Sequence, residues 1–105
     1  MEHYTEHYVV LITAPDKQEA EKIATKLVEE NLAGCVNIAQ EIDSVFRWEG
    51  KIDHVKEALL IVKTKKDNFP RLLDCVKSMH TYTVPEIIAL PIVDGSEDYL
   101  KWLNS

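Results

Sequence analysis

The segment 78–86 holds the chain's densest set of side chains that could bind a ligand. His80, Tyr82 and Glu86 occur there within seven residues, and Met79 precedes His80. A thioether and an imidazole side by side suit copper or zinc. The alternative is a plain connection between a helix and a strand, which requires no chemistry.

Two adjacent side chains are too few for a tight metal site, because such a site needs three or four donors. Folding or a second subunit would have to bring the others. The candidate metal ligands are therefore His80 as the principal one, with Met79, Cys35, Glu57 and Glu86 as further donors. A histidine at a helix end also often caps the last carbonyl groups, so both roles stay open.

Catalysis has weaker support in the sequence. Cys35 would need a neighbouring base to act as a nucleophile, and a small thiol that only packs in the interior is the simpler interpretation. No P-loop, dinucleotide-binding, serine hydrolase or zinc protease motif occurs. We therefore expect a protein without enzymatic activity and without an organic cofactor.

Two tryptophans stand in polar surroundings. Trp48 lies between Arg47 and Glu49, and Trp102 follows Lys101. Amphipathic aromatic side chains of this kind often anchor interfaces, although packing in the core is an equally good explanation. Together with Tyr82 they are candidates for a cleft between subunits.

Composition excludes several classes of partner. The 105 residues carry a formal net charge of −6 with only two arginines, which argues against nucleic acid and against an anionic membrane surface. Two cysteines without a CxxC pair favour a reducing compartment, so we expect a cytoplasmic protein. The length predicts a single domain, 1–105, with residues 1–6 as a flexible tail.

The hydrophobic pattern predicts four strands and three helices. The strands are expected at 8–14, 35–46, 55–64 and 87–93, and the helices at about 17–31, 69–80 and shortly after Ser96. Asp16 and Glu19 form a capping box, while Gly34 suits a left-handed turn after the first helix. Asp67 or Asn68 is expected to cap the second helix, and Pro91 requires an edge strand or a bulge.

The order β-α-β-β-α-β predicts an α+β, ferredoxin-like two-layer sandwich with a short C-terminal helix. Two long helices cover only one face of a four-stranded sheet, yet three of the strands are apolar on both faces. An exposed apolar surface of that size is unusual in a monomer. The pattern therefore predicts an obligate oligomer in which sheets pack on sheets.

Taken together, the residues resemble the CutA family of divalent-cation tolerance proteins. The resemblance covers almost everything from Tyr8 onward. The matching segments, in chain order, are Thr13-Ala14-Pro15-Asp16, Leu32-Ala33-Gly34-Cys35-Val36-Asn37, Trp48-Glu49-Gly50-Lys51, Glu57 with Lys63-Thr64, His80-Thr81-Tyr82, Pro85-Glu86 and Tyr99-Leu100-x-Trp102-Leu103.

The resemblance implies a ferredoxin-like homotrimer similar to the PII-like signalling proteins, and a link to copper and other divalent metals. One copper site described for the family uses a cysteine on the first strand and two adjacent histidines. In this chain those positions are Ile12, Met79 and His80, so only one histidine is kept. The alternative function is a PII-like regulatory module that binds a small molecule or a partner protein, its metal binding incidental.

Overall fold

The computed structural model describes residues 6–105, so the predicted tail, apart from Glu6, lies outside the described residues. The elements in chain order are β1 (His7–Ala14), α1 (Lys17–Glu29), β2 (Cys35–Trp48), β3 (Lys51–Lys65), α2 (Phe69–Met79), β4 (Ile87–Pro91) and α3 (Glu97–Leu103). The strands form one antiparallel sheet in the order β2-β3-β1-β4. The predicted α+β, ferredoxin-like fold is confirmed, and Pro91 ends an edge strand as expected.

The core lies between one face of the sheet and the two long helices. Apolar residues recur along α1 and α2 at helical spacing, and the same residues are buried, which is why these segments form helices that pack on the sheet. The core residues are Val10, Ile12 and Ala14 of β1, Ala20, Ile23, Ala24 and Leu27 of α1, Ala58, Leu60 and Val62 of β3, and Leu72 and Val76 of α2.

The opposite face of the sheet is apolar, and no other part of residues 6–105 covers it. Leu11 of β1 pairs with Ile61 of β3 on one side and with Ile88 of β4 on the other. Directly paired residues point to the same face, and neighbours along a strand point to the other. Val9 of β1, two residues before Leu11, pairs with Leu90 of β4 and so points to the same face. Ile88 and Leu90 are each 49% exposed. This surface is called the uncovered face below.

The hairpin of β2 and β3 is longer than the sequence predicts. Pairing continues from Cys35 and Lys63 to Trp48 and Lys51, with one irregularity after Gln40. Glu49 and Gly50 make the turn with positive φ angles, as expected for a tight hairpin. The distal part of this hairpin, residues 42–57, is called the arm, and it carries half-exposed apolar side chains such as Phe46, Trp48 and Ile52.

The connection between α1 and β2 differs from the prediction. Asn31 takes the left-handed conformation with a φ of 59°, because its short polar side chain tolerates that region. Gly34 has a different role: a Cβ at this position would lie 2.6 Å from the Cδ1 of Leu103. The glycine therefore permits α3 to pack closely against the start of β2.

The predicted cap of α2 is correct in position but not in its hydrogen bond. Asn68 stands at the N-cap but makes no capping hydrogen bond with its side chain. Its side-chain oxygen accepts instead from the Arg71 guanidinium at 2.9 Å. Its amide nitrogen donates to the hydroxyl of Thr64 at 3.2 Å, and that hydroxyl donates to the carbonyl of Leu32 at 2.6 Å. Burial of both residues explains the difference, because buried polar groups must find partners. The network ties β3 to the loop after α1, and Pro70 occupies the first turn as expected.

Across residues 6–105, no helix combines the length and the apolar character needed to cross a bilayer.

Candidate functional site

The site is built where α1 begins, where α2 ends and where the arm leaves the sheet. Asp16 caps α1 by accepting a hydrogen bond from the backbone N–H of Glu19 at 2.8 Å. The carboxylate of Glu19 does not complete the predicted capping box. It accepts instead from the backbone N–H of Thr81 at 3.0 Å and from the Thr81 hydroxyl at 2.9 Å. Glu19 therefore fixes the loop that follows α2.

His80 is held by both of its ring nitrogens, and its side chain is fully buried. Nε2 lies 2.7 Å from the carbonyl oxygen of Thr13, and Nδ1 lies 3.1 Å from the backbone nitrogen of Tyr82. A carbonyl only accepts and a backbone N–H only donates. With the Tyr82 N–H donating to Nδ1, the proton on Nε2 is the one donated to the Thr13 carbonyl, and Nδ1 also lies 3.4 Å from Oε2 of Glu19.

The position of Thr13 explains why this histidine is needed. Thr13 lies one residue beyond Ile12 and Ile87, the last pair between β1 and β4. The hydrogen-bonded ladder between these two strands has therefore ended at Thr13. The ring N–H of His80 supplies the hydrogen bond to the Thr13 carbonyl. The second bond, from the N–H of Tyr82, orients the loop toward the arm.

Tyr82 joins this loop to the arm. Its hydroxyl donates to Oε2 of Glu57 at 2.7 Å, and its ring centroid lies 4.8 Å from that of His80. Burial raises the pKa of the Tyr82 hydroxyl above its ordinary value, and the hydrogen bond and negative charge of Glu57 raise it further. Tyr82 therefore stays neutral and keeps donating to the carboxylate throughout the physiological pH range.

This pKa shift predicts a dependence of stability on alkaline pH. The raised pKa in the folded state means that Tyr82 of the unfolded chain ionises first, at about pH 10. Its contribution to the free energy of unfolding is thus complete below pH 10 and decreases as the pH rises above it. Denaturation of the wild type and of Tyr82→Phe at pH 9 and pH 11 should show the difference between them narrowing at the higher pH. An equal difference at both pH values would contradict the assignment.

A groove of about 710 Å³ opens beside Tyr82 and Glu57. One wall is the arm, where Ser44, Phe46 and Trp48 alternate along β2 and Asp53, Val55 and Glu57 alternate along β3; the other walls are Thr13 and the loop from Thr81 to Glu86. The groove is thus formed by segments that are far apart in the sequence. Its lining combines aromatic rings, hydroxyl groups and carboxylates, and none of the lysines, arginines or histidines among residues 6–105 lines it.

The predicted site residues fall into two sets. Trp48, Glu57, Tyr82 and Glu86 line the groove together, and His80 lies directly behind Tyr82. The remaining three, Met79, Cys35 and Trp102, lie elsewhere in the chain and do not line the groove.

Each of these three has its own surroundings. Met79 lines a shallow depression along α1. Cys35 starts β2, 4.0 Å from the side-chain oxygen of Asn37, and it is a free thiol. Trp102 is half-exposed on α3, where its ring lies 5.5 Å from that of Tyr99.

The predicted metal ligands do not fit a metal within one chain. No group of three or more histidine, cysteine, aspartate or glutamate side chains among residues 6–105 could hold an ion. His80 already uses both nitrogens, and a ligating nitrogen must have its lone pair free. Whether several subunits together assemble such a site stays a prediction.

Glu19, Phe46 and Asp53 are functional-site residues that the sequence analysis missed. Asp53 and Glu57 are four apart on a strand, and so point to the same side. Phe46 and Trp48 are two apart on the neighbouring strand, and Phe46 pairs with Asp53. The wall of the groove formed by the arm could have been predicted from this alternation along the two strands. The contact of Glu19 with Thr81 has no such signal, because it depends on tertiary packing.

Comparison with known proteins gives a consistent result. The family described as "CutA1 divalent ion tolerance protein" matches residues 8–105. The "Divalent-cation tolerance protein CutA" of Thermus thermophilus is 53% identical over 96 residues, which cover 91% of this chain and 93% of that protein.

Solved structures agree with this result. A divalent cation tolerance protein (Cut A1) from Thermus thermophilus superposes with a TM-score of 0.90 at 52% identity, covering 92% of this chain and 94% of that one. The periplasmic divalent cation tolerance protein CutA from Archaeoglobus fulgidus superposes with a TM-score of 0.91 at 48% identity, covering 93% of this chain and 95% of that one.

Proposed function

Because this chain belongs to the family of CutA1 divalent ion tolerance proteins, we propose that it is a homotrimer that binds or responds to divalent metal ions, copper among them, without catalytic turnover. The match over residues 8–105 is the observation that carries the proposal. The proposed lack of catalytic activity is supported by the names of the relatives, which refer to tolerance of divalent cations. We also propose a cytoplasmic location, which the two free thiols support and cell fractionation would check.

Assembly is supported by the uncovered face. Leu11, Ile61, Ile88 and Leu90 lie together there, and each such side chain is about 1.5–3 kcal/mol more stable buried than exposed. A second chain packed against this face would remove the apolar surface from water. The number three, and the likeness to PII-like trimers, come from the family resemblance.

His80 is the residue through which metal binding is best tested. An ion at Nδ1 would displace the backbone N–H of Tyr82, and an ion at Nε2 would displace the carbonyl of Thr13. Either change requires the loop after α2 to move. In the proposed trimer, other ligands would come from a neighbouring subunit, since residues 6–105 of one chain supply no complete set.

Calorimetric titration with Cu(II), Zn(II) and reduced Cu(I) tests this proposal. We expect saturable binding of one metal per chain that is lost in His80→Ala. His54→Ala is the matched control, because it removes the same type of side chain from an exposed position of β3. Circular dichroism at the titration temperature should first establish that both variants are folded. Binding that survives in His80→Ala contradicts His80 as the principal ligand.

The groove favours a second candidate function. Four residues identified from the sequence, Trp48, Glu57, Tyr82 and Glu86, line one concave surface of small-molecule size. This supports a PII-like regulatory module that senses a small molecule or docks on a partner protein, with metal binding incidental. Weak metal binding, or binding unchanged by the His80 substitution, would place this candidate ahead of the first.

A further inference from the structure

The charge of the groove selects the class of ligand. Its lining includes three carboxylates, Asp53, Glu57 and Glu86, and no basic side chain from the described part of the chain. Such a surface repels phosphates and carboxylates and attracts cations. A nucleotide or an organic acid is therefore a poor fit, and a positively charged molecule is a good one.

The carboxylate of Glu57 has a hydrogen-bond donor on only one of its two oxygens. Glu57 is only 6% exposed, and Oε2 accepts from the Tyr82 hydroxyl. Among the hydrogen bonds and ion pairs of residues 6–105, Oε1 has no donor, and no lysine, arginine or histidine pairs with this carboxylate. No side-chain oxygen among the described residues is both fully buried and without a partner, so Oε1 keeps contact with solvent. A cation that enters the groove can bind to this oxygen, and such a charge-assisted contact is stronger than one with water.

The size and walls of the groove favour an organic cation over a bare metal ion. Its volume of about 710 Å³ far exceeds that of one ion and lies in the usual range for small-molecule sites. The carboxylates do not converge into a metal-binding group. The rings of Phe46, Trp48 and Tyr82 line the same space, and aromatic faces attract ammonium groups.

We propose that the groove binds an organic ammonium compound, with Glu57 and Glu86 facing its protonated amines and Trp48 contacting its carbon chain. The hydroxyls of Ser44 and Thr83, which also line the groove, can accept hydrogen bonds from the remaining N–H groups. The proposal rests on the ligand-binding role proposed for the groove and specifies its ligand.

Calorimetry on the full chain, with spermidine as the probe, tests the proposal. We expect saturable binding at one molecule per chain, weakened on the order of tenfold or more in Glu57→Gln, because removing the charge facing a desolvated cation is costly. Trp48→Leu should also weaken binding, since it removes the aromatic face. Glu49→Gln is the matched control: Glu49 is an exposed carboxylate of the same hairpin outside the groove, and its substitution should leave the affinity unchanged.

Magnesium chloride, triethylene glycol and succinate are three further probes. They show which part of the proposal is wrong if spermidine does not bind as expected. Magnesium chloride binding as strongly as spermidine would overturn the proposal, since only nonspecific charge would then be acting. Triethylene glycol or succinate binding better than spermidine would also overturn it, although the groove would keep its role as a ligand site. Binding of none of the probes would refute that role as well.

Light scattering of the variants tests whether a second copy of the chain occupies the groove. If Glu57→Gln changes the mass of the assembly while spermidine binding is unaffected, the groove receives a basic side chain of a second copy, and the proposal is wrong. An unchanged mass together with weakened binding supports it. Metal titration of the same variants is independent of both outcomes, because it reports on His80.

Discussion

Replacing Ile88 with aspartate is expected to convert the assembled protein into single chains. Ile88 lies on the edge strand β4, directly opposite Leu11 of β1, and it is 49% exposed in an isolated chain. A charge placed there is tolerated in a monomer, because the side chain can reach water. In an assembly it must be buried against an apolar surface without a partner, which costs several kcal/mol.

Light scattering after gel filtration at micromolar concentration measures this effect. The wild type should elute with three times the chain mass of 12.0 kDa, and Ile88→Asp with the mass of one chain. In the proposed trimer the substitution acts in all three copies at once, so the loss should be nearly complete. Each copy also loses about 1.5–3 kcal/mol of apolar burial.

Val28→Asp is the matched control. Val28 is 47% exposed on α1, far from the uncovered face, so the same change of residue type leaves the interface intact. We expect this variant to keep the mass of the wild type. A wild type that is already monomeric, or an Ile88→Asp variant that remains trimeric, would show that the uncovered face is not the interface.

The order of the elements could be predicted because its signals are local. Helical spacing of apolar residues, the caps at Asp16 and Ser96, and the Glu49-Gly50 turn each depend on a few neighbouring residues, and the structure contains all of them. The length of the arm could not be predicted in this way. Residues 51–54 are too polar to form a strand alone, and they do so because β2 pairs with them.

The uncovered face was predicted from strands that are apolar on both sides, and the register now shows which residues form it. Half of the candidate site could be predicted from residue types and from the family resemblance. Trp48, Glu57, Tyr82 and Glu86 were singled out by residue type and found together. Their convergence depends on how the arm bends toward the loop after α2, which no local pattern encodes.

Glu19 shows where local reasoning fails. Its position three residues after Asp16 is typical of a capping box, and the backbone half of that motif is present. The carboxylate, however, can also reach the loop after α2, and it bonds to Thr81, 62 residues further along the chain. A tertiary contact with two donors outweighs a local contact with one.

The second large effect is expected for His80→Ala, which should lower the free energy of unfolding by about 3–5 kcal/mol. The substitution leaves a cavity, because the ring is fully buried. It also removes the partners of the Thr13 carbonyl and of the Tyr82 N–H, and an unsatisfied buried polar group costs about 1–3 kcal/mol. Chemical denaturation at one fixed chain concentration measures the loss, since oligomer stability depends on concentration.

Performing this measurement in the presence of a chelator separates two roles of the histidine. If His80 ties β1 to the loop after α2, the loss persists in full without metal. If its contribution comes only from a bound ion, the chelator should make the wild type as unstable as the variant. His54→Ala, at an exposed position of the arm, should change stability by less than about 0.5 kcal/mol in either buffer. A loss in His80→Ala that disappears with the chelator would contradict the structural role, because both hydrogen bonds of the ring are made to groups of the protein itself.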